Sequence, residues 1–185
     1  MGAHVRVPRK PRAEIEPGLH HVFARGNNRC DVFLDDVDRR VYLGLLVQVT
    51  RRRAWRCLAY CLMKNHVHLL LETVPPQLGA GMRDLHGRYA QHFNRRHRRI
   101  GHLFGGRFGA VRIEDDAQLW MTVAYIARNP VDAGYCRAID EWRWSSHGAS
   151  ATQTADPCTD RRRLLEYFAA YGGPPEERYR ECVTG

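Results

Sequence analysis

Lysine is nearly missing from this sequence: Lys10 and Lys64 are the only two in 185 residues. Long apolar runs are missing too, and the most apolar stretches, such as the one around Val67 to Leu71, fall far short of the ~20 residues that a membrane-spanning helix needs. No signal-peptide core follows the first residues, so a cytoplasmic protein with no membrane contact is expected. There is no compact Cys-x-x-Cys pair, and the six cysteines, at positions 30, 57, 61, 136, 158 and 182, are expected to be reduced thiols. Neither an internal repeat nor a low-complexity tract occurs. With 44% hydrophobic and 26% charged residues in 21.4 kDa, wholesale disorder is excluded and one ordinary domain with a short tail is indicated.

What the sequence does have is arginine. The 29 Lys and Arg residues outnumber 20 Asp and Glu, for a formal net charge of +9 and a pI near 9.6. Such a balance points to a polyanionic partner, and the guanidinium clamps phosphates bidentately and stacks on bases. The densest basic patch is Arg95, Arg96, Arg98 and Arg99 with Arg88; Arg51 to Arg53 form a second. Either patch can also be an ordinary solvated helix face. Met1 to Gly18 mixes Arg, Lys and Pro without apolar periodicity and reads as a basic, poorly ordered arm.

Periodicity supplies the fold. Leu19 to Ala24 reads as a strand ended by the turn residues Arg25-Gly26-Asn27-Asn28. Val37, Val41, Leu45 and Val49 are four apart and predict a helix over 36–51. The β-prone runs 54–62 and 66–72 form a hairpin, and Leu85, Tyr89 and Phe93 predict a second helix over 78–97. A strand over 108–113 and a helix over 117–129, stopped at Pro130, follow. The segment 145–157 reads as small and polar, 161–171 as a last helix, and the remainder as a Gly-Pro-rich tail. The β-α-β-β-α-β order predicts an α+β fold: a ferredoxin-like antiparallel sheet with helices on one face, plus an added helix.

Two constellations could carry chemistry. Strand alternation puts His66 and His68 on one face and Val67, Leu69 and Leu71 on the other. Two imidazoles on one face can chelate a metal, although a pair alone cannot complete its coordination and is otherwise a pair of solvent-facing histidines. Tyr125 and Asn129 are four apart on the last predicted helix and so share a face: a nucleophile and an amide oxygen, or a core aromatic and a helix-ending residue. Cys57 and Cys61 ahead of the histidines raise a structural zinc, but in a regular strand they share a face ~13 Å apart, too far for one tetrahedral ion. Trp142 and Trp144 read as core aromatics, with base stacking the alternative.

Taken together these residues resemble the REP-associated tyrosine transposases, within the single-strand transposases that use a His-hydrophobic-His motif and one tyrosine. The resemblance rests on Arg25-Gly26-Asn27-Asn28, on Met63 to Leu71, on Gly101-His102-Leu103-Phe104-Gly105-Gly106-Arg107-Phe108, on Tyr125-Ile126 with Asn129-Pro130-Val131, and on Trp144-Ser145-Ser146. It spans roughly residues 19–148, leaving 1–18 as the arm and 149–185 as a C-terminal helix and tail. Lys64 stands where proline is common, Phe104-Gly105 where Trp-Gln is common, and Arg128 and Asp132 depart from the usual stretch after the tyrosine.

The resemblance implies Tyr125 as nucleophile and His66, His68 and Asn129 as ligands of a divalent metal, Mg²⁺ or Mn²⁺. It also implies a 5′-phosphotyrosine intermediate and substrates that are hairpin-forming repetitive extragenic palindromes with a short single-stranded flank. Because a tyrosine hydroxyl ordinarily titrates near pH ~10, the site must activate it. Arg25, Asn27, Asn28, Lys64, Arg88, Arg95, Arg96, Arg98, Arg99, Arg107 and Arg128 form the candidate DNA-binding set, the two asparagines serving equally well as turn residues. A non-catalytic nucleic-acid-binding module, or a regulator derived from a transposase, is the competing reading. Monomer and dimer are both compatible with the sequence.

Overall fold

The computed structural model describes residues 16–74, 78–151, 156–170 and 172–185. Most of the expected basic arm, with Lys10, and the break at Pro75-Pro76 lie outside the described residues. The strands are β1 (Gly18–Arg25), β2 (Arg56–Leu62), β3 (His66–Thr73) and β4 (Gly109–Arg112), and the first helices are α1 (Asp36–Arg53), α2 (Leu78–Arg96) and α3 (Asp116–Asp132). One sheet holds all four strands in the order β2-β3-β1-β4, every neighbouring pair antiparallel, which is the ferredoxin-like arrangement.

Two cores lie against this sheet. On one face Val67, Leu69 and Leu71 of β3 meet Tyr42, Leu46 and Val49 of α1 and Met82, Leu85 and Tyr89 of α2. Each such side chain contributes about 1.5–3 kcal/mol by leaving water. On the other face Leu70 packs with Val123, Ile126 and Ala127 of α3 and with two C-terminal helices, α5 (Arg161–Ala169) and α6 (Pro175–Thr184). The added helix α3 is therefore roofed by the C-terminal segment, with the Trp120 ring stacked on Phe168 at 6.0 Å.

Four local expectations need correction. Regular alternation would place Cys57 and Cys61 on one face, but a bulge between Cys57 and Ala59 resets the phase of β2. Cys57 then joins the first core and Cys61 the second, which removes the zinc reading; all six cysteines are free. Helix α3 does not stop at Pro130, which lies in its last turn, where only one internal hydrogen bond is forfeited. Its stop is Gly134 at φ +71, with Tyr135 N–H donating to Pro130 O at 2.8 Å and Gly134 N–H to Val131 O at 2.9 Å, a Schellman ending. The polar segment after Trp144 begins with a short helix, α4 (Ser146–Ala151), because Ser145 Oγ accepts from Gly148 N–H at 3.0 Å as an N-cap. The Gly-Pro-rich tail ends in α6, opened by Pro175 at its first turn and docked by buried Tyr179 and Val183, four residues apart. Among the described residues, no helix is long and apolar enough to cross a membrane.

Helix α5 is tied to the sheet through the Glu72 carboxylate. Glu72 accepts from Arg163 Nη2 at 2.7 Å, from Tyr167 Oη at 2.8 Å and from Arg56 Nη1 at 3.1 Å. Burial alone pushes its carboxyl up, but these donors outweigh that and hold it at about 2. A carboxylate held below its unfolded value stabilises the fold at neutral pH, and that stability is lost as pH falls from the ordinary value toward about 2. Glu72→Gln should cost about 1–3 kcal/mol at pH 7 and flatten the loss of stability between roughly pH 5 and 2, as read from urea denaturation across that range.

Candidate active site

The antiparallel register decides which side chains share a surface with the two histidines. Across β1 and β3, Arg25 stands opposite His66, Phe23 opposite His68, and His21 opposite Leu70. All six point away from the α1 and α2 core, toward α3. The 3.6-residue period of α3 brings Tyr125 and Asn129 onto the same surface, so one chain assembles both constellations. The His66 and His68 rings are 5.0 Å apart and nearly perpendicular, and the Tyr125 ring stands edge-on to His68 at 5.2 Å. His68 and Asn129 are 6% and 8% exposed, whereas Tyr125 is 46% exposed, so the hydroxyl-bearing ring is open to a substrate and its neighbours are not.

Hydrogen bonds set the proton positions. Asn65 donates its amide to Arg29 O at 3.2 Å, so its oxygen faces His66 Nδ1 at 2.7 Å and accepts that ring's proton. His66 Nε2 is left as a lone pair, with Asn129 Oδ1 3.1 Å away. Two lone-pair atoms at that separation repel unless positive charge lies between them. Burial lowers the His66 pKa despite the raising contact with Asn129. Burial likewise brings His68 down to about 2 and His21 to about 4, so these rings are neutral at physiological pH. His68 Nε2 is buried without any partner, the kind of orphan that a native interior rarely leaves unexplained. Two neutral imidazoles, one of them with an orphaned nitrogen, and an amide oxygen are a donor set that fits a divalent cation. Among the described residues, no group of three or more His, Cys, Asp or Glu is arranged to hold a metal. The Asn129 amide oxygen, 3.1 Å from His66 Nε2, is the further donor at this surface that such a cation would need.

Beside this surface a groove of about 1070 Å³ runs along β1 and the short edge strand β4, lined by Phe23, Arg25, Asn27, Asn28, Arg107 and Phe108 among others. Its floor is built by the turn after β1. Gly26 N–H donates to Asn65 O at 2.8 Å, Asn27 N–H to Leu103 O at 2.9 Å, and Gly105 N–H to Arg25 O at 2.9 Å. Three segments distant in sequence, 25–28, 63–66 and 101–108, are thereby clamped into one loop cluster. Asn28, at φ +50, takes the left-handed backbone that asparagine tolerates, while its side chain and that of Asn27 line the groove exposed. Gly109 lets the Phe23 ring lie across β4, since a Cβ there would sit 2.3 Å from Cζ.

The remaining candidates scatter. Arg128 is exposed, three residues from Tyr125, and Lys64 lies over the Tyr135 ring at 5.0 Å. Arg88, Arg95, Arg98 and Arg99 are on α2 or just after it, in the layer across the sheet; Arg88 donates to Gln48 at 2.8 Å, and Arg99 lies over the Phe93 ring. Arg96 is committed to structure: it donates to Asp35 at 2.6 Å and to fully buried Asp38 at 2.7 Å, stapling the end of α2 to the start of α1. Trp142 and Trp144 are core-facing, donating to Leu62 O and Asp36.

Comparison with known proteins gives this surface a family. The model for the family described as Transposase IS200 like matches residues 18–129, which hold all four strands, His66, His68, Tyr125 and Asn129. The chain belongs to the IS200-like transposases. The fold is that of the structure of a REP-associated tyrosine transposase bound to a REP hairpin: TM-score 0.67 at 16% identity, over 83% of this chain and 94% of that one. A candidate transposase from Deinococcus radiodurans aligns with a TM-score of 0.45 at 17% identity, over 62% of this chain and 92% of that one. No curated protein matches.

Sequence reasoning missed three residues of this transposase's site surface. Asn65 was visible only as part of a turn, and its link to His66 needs the bond to Arg29 to be seen. His21 and Phe23 alternate with the core residues Val22 and Ala24, so the two-residue period was available, but only the β1–β3 register shows that they meet His68. Gly26→Ala would place a methyl carbon 2.0 Å from Cys30 O, so it should deform the clamp and cost about 1–3 kcal/mol, as read from denaturation.

Proposed function

We propose that this transposase is a metal-dependent single-strand DNA endonuclease and strand transferase with Tyr125 as its nucleophile. The observation that carries the reading is that His66 Nε2 faces Asn129 Oδ1 at 3.1 Å, the His68 ring with its orphaned Nε2 lies 5.0 Å from the His66 ring, and the exposed Tyr125 ring stands edge-on to His68. In the reaction, the Tyr125 oxygen forms a bond to phosphorus, the bond from phosphorus to the 3′-oxygen breaks, and the tyrosine proton passes in net terms to the released 3′-hydroxyl. The product is a 5′-phosphotyrosine, which keeps the phosphodiester's energy so that another 3′-hydroxyl can displace Tyr125 and rejoin strands. His66, His68 and Asn129 would hold Mg²⁺ or Mn²⁺, which when bound supplies charge to stabilise the phosphoryl oxygens. The chain's own part is to fix the imidazoles by tautomer, to exclude water around His68, and to present Tyr125 on a braced helix. That braced packing of α3 on its own sheet also supports a site completed within one chain.

The substrate we assign is a hairpin of repetitive extragenic palindromic DNA with a single-stranded flank, as the fold of the hairpin-bound relative suggests. The flank lies in the groove, where Arg25 and Arg107 meet phosphates and Asn27, Asn28 and Phe23 meet bases. Arg107 also borders a second groove against α2, lined by Arg83 and His86, which we assign to the duplex stem; Arg95, Arg98 and Arg99 follow further along the chain as its outer phosphate contacts. Arg128 can contact the phosphate next to Tyr125, and the reaction takes place in the cytoplasm, at the nucleoid.

The test uses labelled single-stranded repeat hairpins in Mn²⁺ or EDTA, resolved on denaturing gels. A protein–DNA adduct that needs metal and disappears in Tyr125→Phe, with binding retained, is expected. Tight binding with no adduct in Mn²⁺ would instead mean a non-catalytic binding module. Arg25→Ala and Arg107→Ala should each reduce the slope of log K against log salt by about 1, whereas Arg96→Ala should act through stability.

A further inference from the structure

We propose that His21 is a positioning residue that selects the metal-binding tautomer of His68. The inference rests on the reading of the site above and goes beyond it by assigning a role to a side chain outside the ligand set. His21 Nε2 lies 3.0 Å from His68 Nδ1, and the two rings are stacked with centroids 5.1 Å apart. Only one proton can lie between two ring nitrogens, so one ring donates and the other accepts. If His21 donates, the His68 proton must sit on Nε2, where it is buried and has no acceptor. If His68 donates through Nδ1, its proton is satisfied and Nε2 becomes a bare lone pair, on a ring whose centroid lies 5.0 Å from that of His66. The second arrangement leaves no orphaned proton and is the one that can ligate. Ligating histidines characteristically use their other ring nitrogen in this way, and here the acceptor is another imidazole rather than a carboxylate.

The surroundings hold His21 to that task. Phe23 packs against it at 5.5 Å and Tyr125 stands edge-on at 5.8 Å, while Leu70 and Val111 are its cross-strand neighbours. These neighbours carry no charge to draw its ring away from His68. Asn65 does for His66 what His21 does for His68, so each histidine of the pair has its own outer partner. The Tyr125 contact adds a second consequence: a ring that fixes His68 also walls one side of the nucleophile.

Three variants separate positioning from packing. His21→Phe keeps a ring of similar size but cannot accept a proton; His21→Gln can accept one through its amide oxygen; His68→Ala removes the ligand. Mn²⁺ binding to each metal-free protein is measured by titration calorimetry, with unfolding midpoints recorded alongside, and the ring nitrogens of His68 are read by ¹⁵N-labelled NMR. Expected are Mn²⁺ affinity about 10- to 100-fold weaker in His21→Phe, substantial recovery in His21→Gln, and a His68 proton on Nδ1 in wild type that moves to Nε2 in His21→Phe. Wild-type affinity and an unchanged His68 tautomer in His21→Phe, with His68→Ala inactive in binding, would overturn the inference alone. If wild type and His68→Ala take up Mn²⁺ equally, or neither does, the reading of the metal site fails and the inference falls with it.

Discussion

Antiparallel pairing of β1 with β3 is the constraint on which the rest of the molecule depends. Because successive strand side chains face opposite ways, a single register commits Val67, Leu69 and Leu71 to the α1 and α2 core and leaves His66 and His68 for the other surface. The same register puts Arg25 and Phe23 directly across from the histidines. A slip of one residue would turn the imidazoles into the α1 and α2 core and withdraw Val67, Leu69 and Leu71 from it, so the energy that holds the core also holds the site. Helix α3 then needs only its natural period to lay Tyr125 and Asn129 on the prepared surface. The C-terminal helices add a roof over α3, and α5 is fastened to the sheet by Glu72.

That economy explains what the sequence disclosed. The alternation around His66 and His68 and the four-residue interval from Tyr125 to Asn129 are properties of short segments, and local periodicity carries them intact. The ferredoxin-like order was legible for the same reason. The β2 bulge was not, because whether Cys57 and Ala59 continue the alternation depends on the partner strand. Pro130 misled because a proline signals a boundary by local sterics, whereas a proline in the last turn forfeits a single bond and the real signal, Gly134 followed by Tyr135, lies further on. The terminal helix was readable in the spacing of Tyr179 and Val183 and in Pro175, but the Gly-Pro content ahead of it masked the signal.

Charge was the least reliable guide to position. A basic sequence implied a polyanion, and the family is one of transposases, yet the densest arginine cluster lies across the sheet from Tyr125. Arg96 within it is a structural staple between Asp35 and Asp38. The groove beside the site draws instead on Arg25 and Arg107, isolated in sequence and joined by the clamp through Gly26, Asn65, Leu103 and Gly105. Counting charges points to a partner class; tertiary hydrogen bonding decides which charges share one groove.

His66, His68 and Asn129 are proposed to form one cation site under Tyr125. Anomalous diffraction from crystals soaked in Mn²⁺ tests it most directly. A peak is expected within bonding distance of His66 Nε2, His68 Nε2 and Asn129 Oδ1 together. A well-occupied Mn²⁺ elsewhere on the protein, with His68 Nε2 still unliganded, would contradict it.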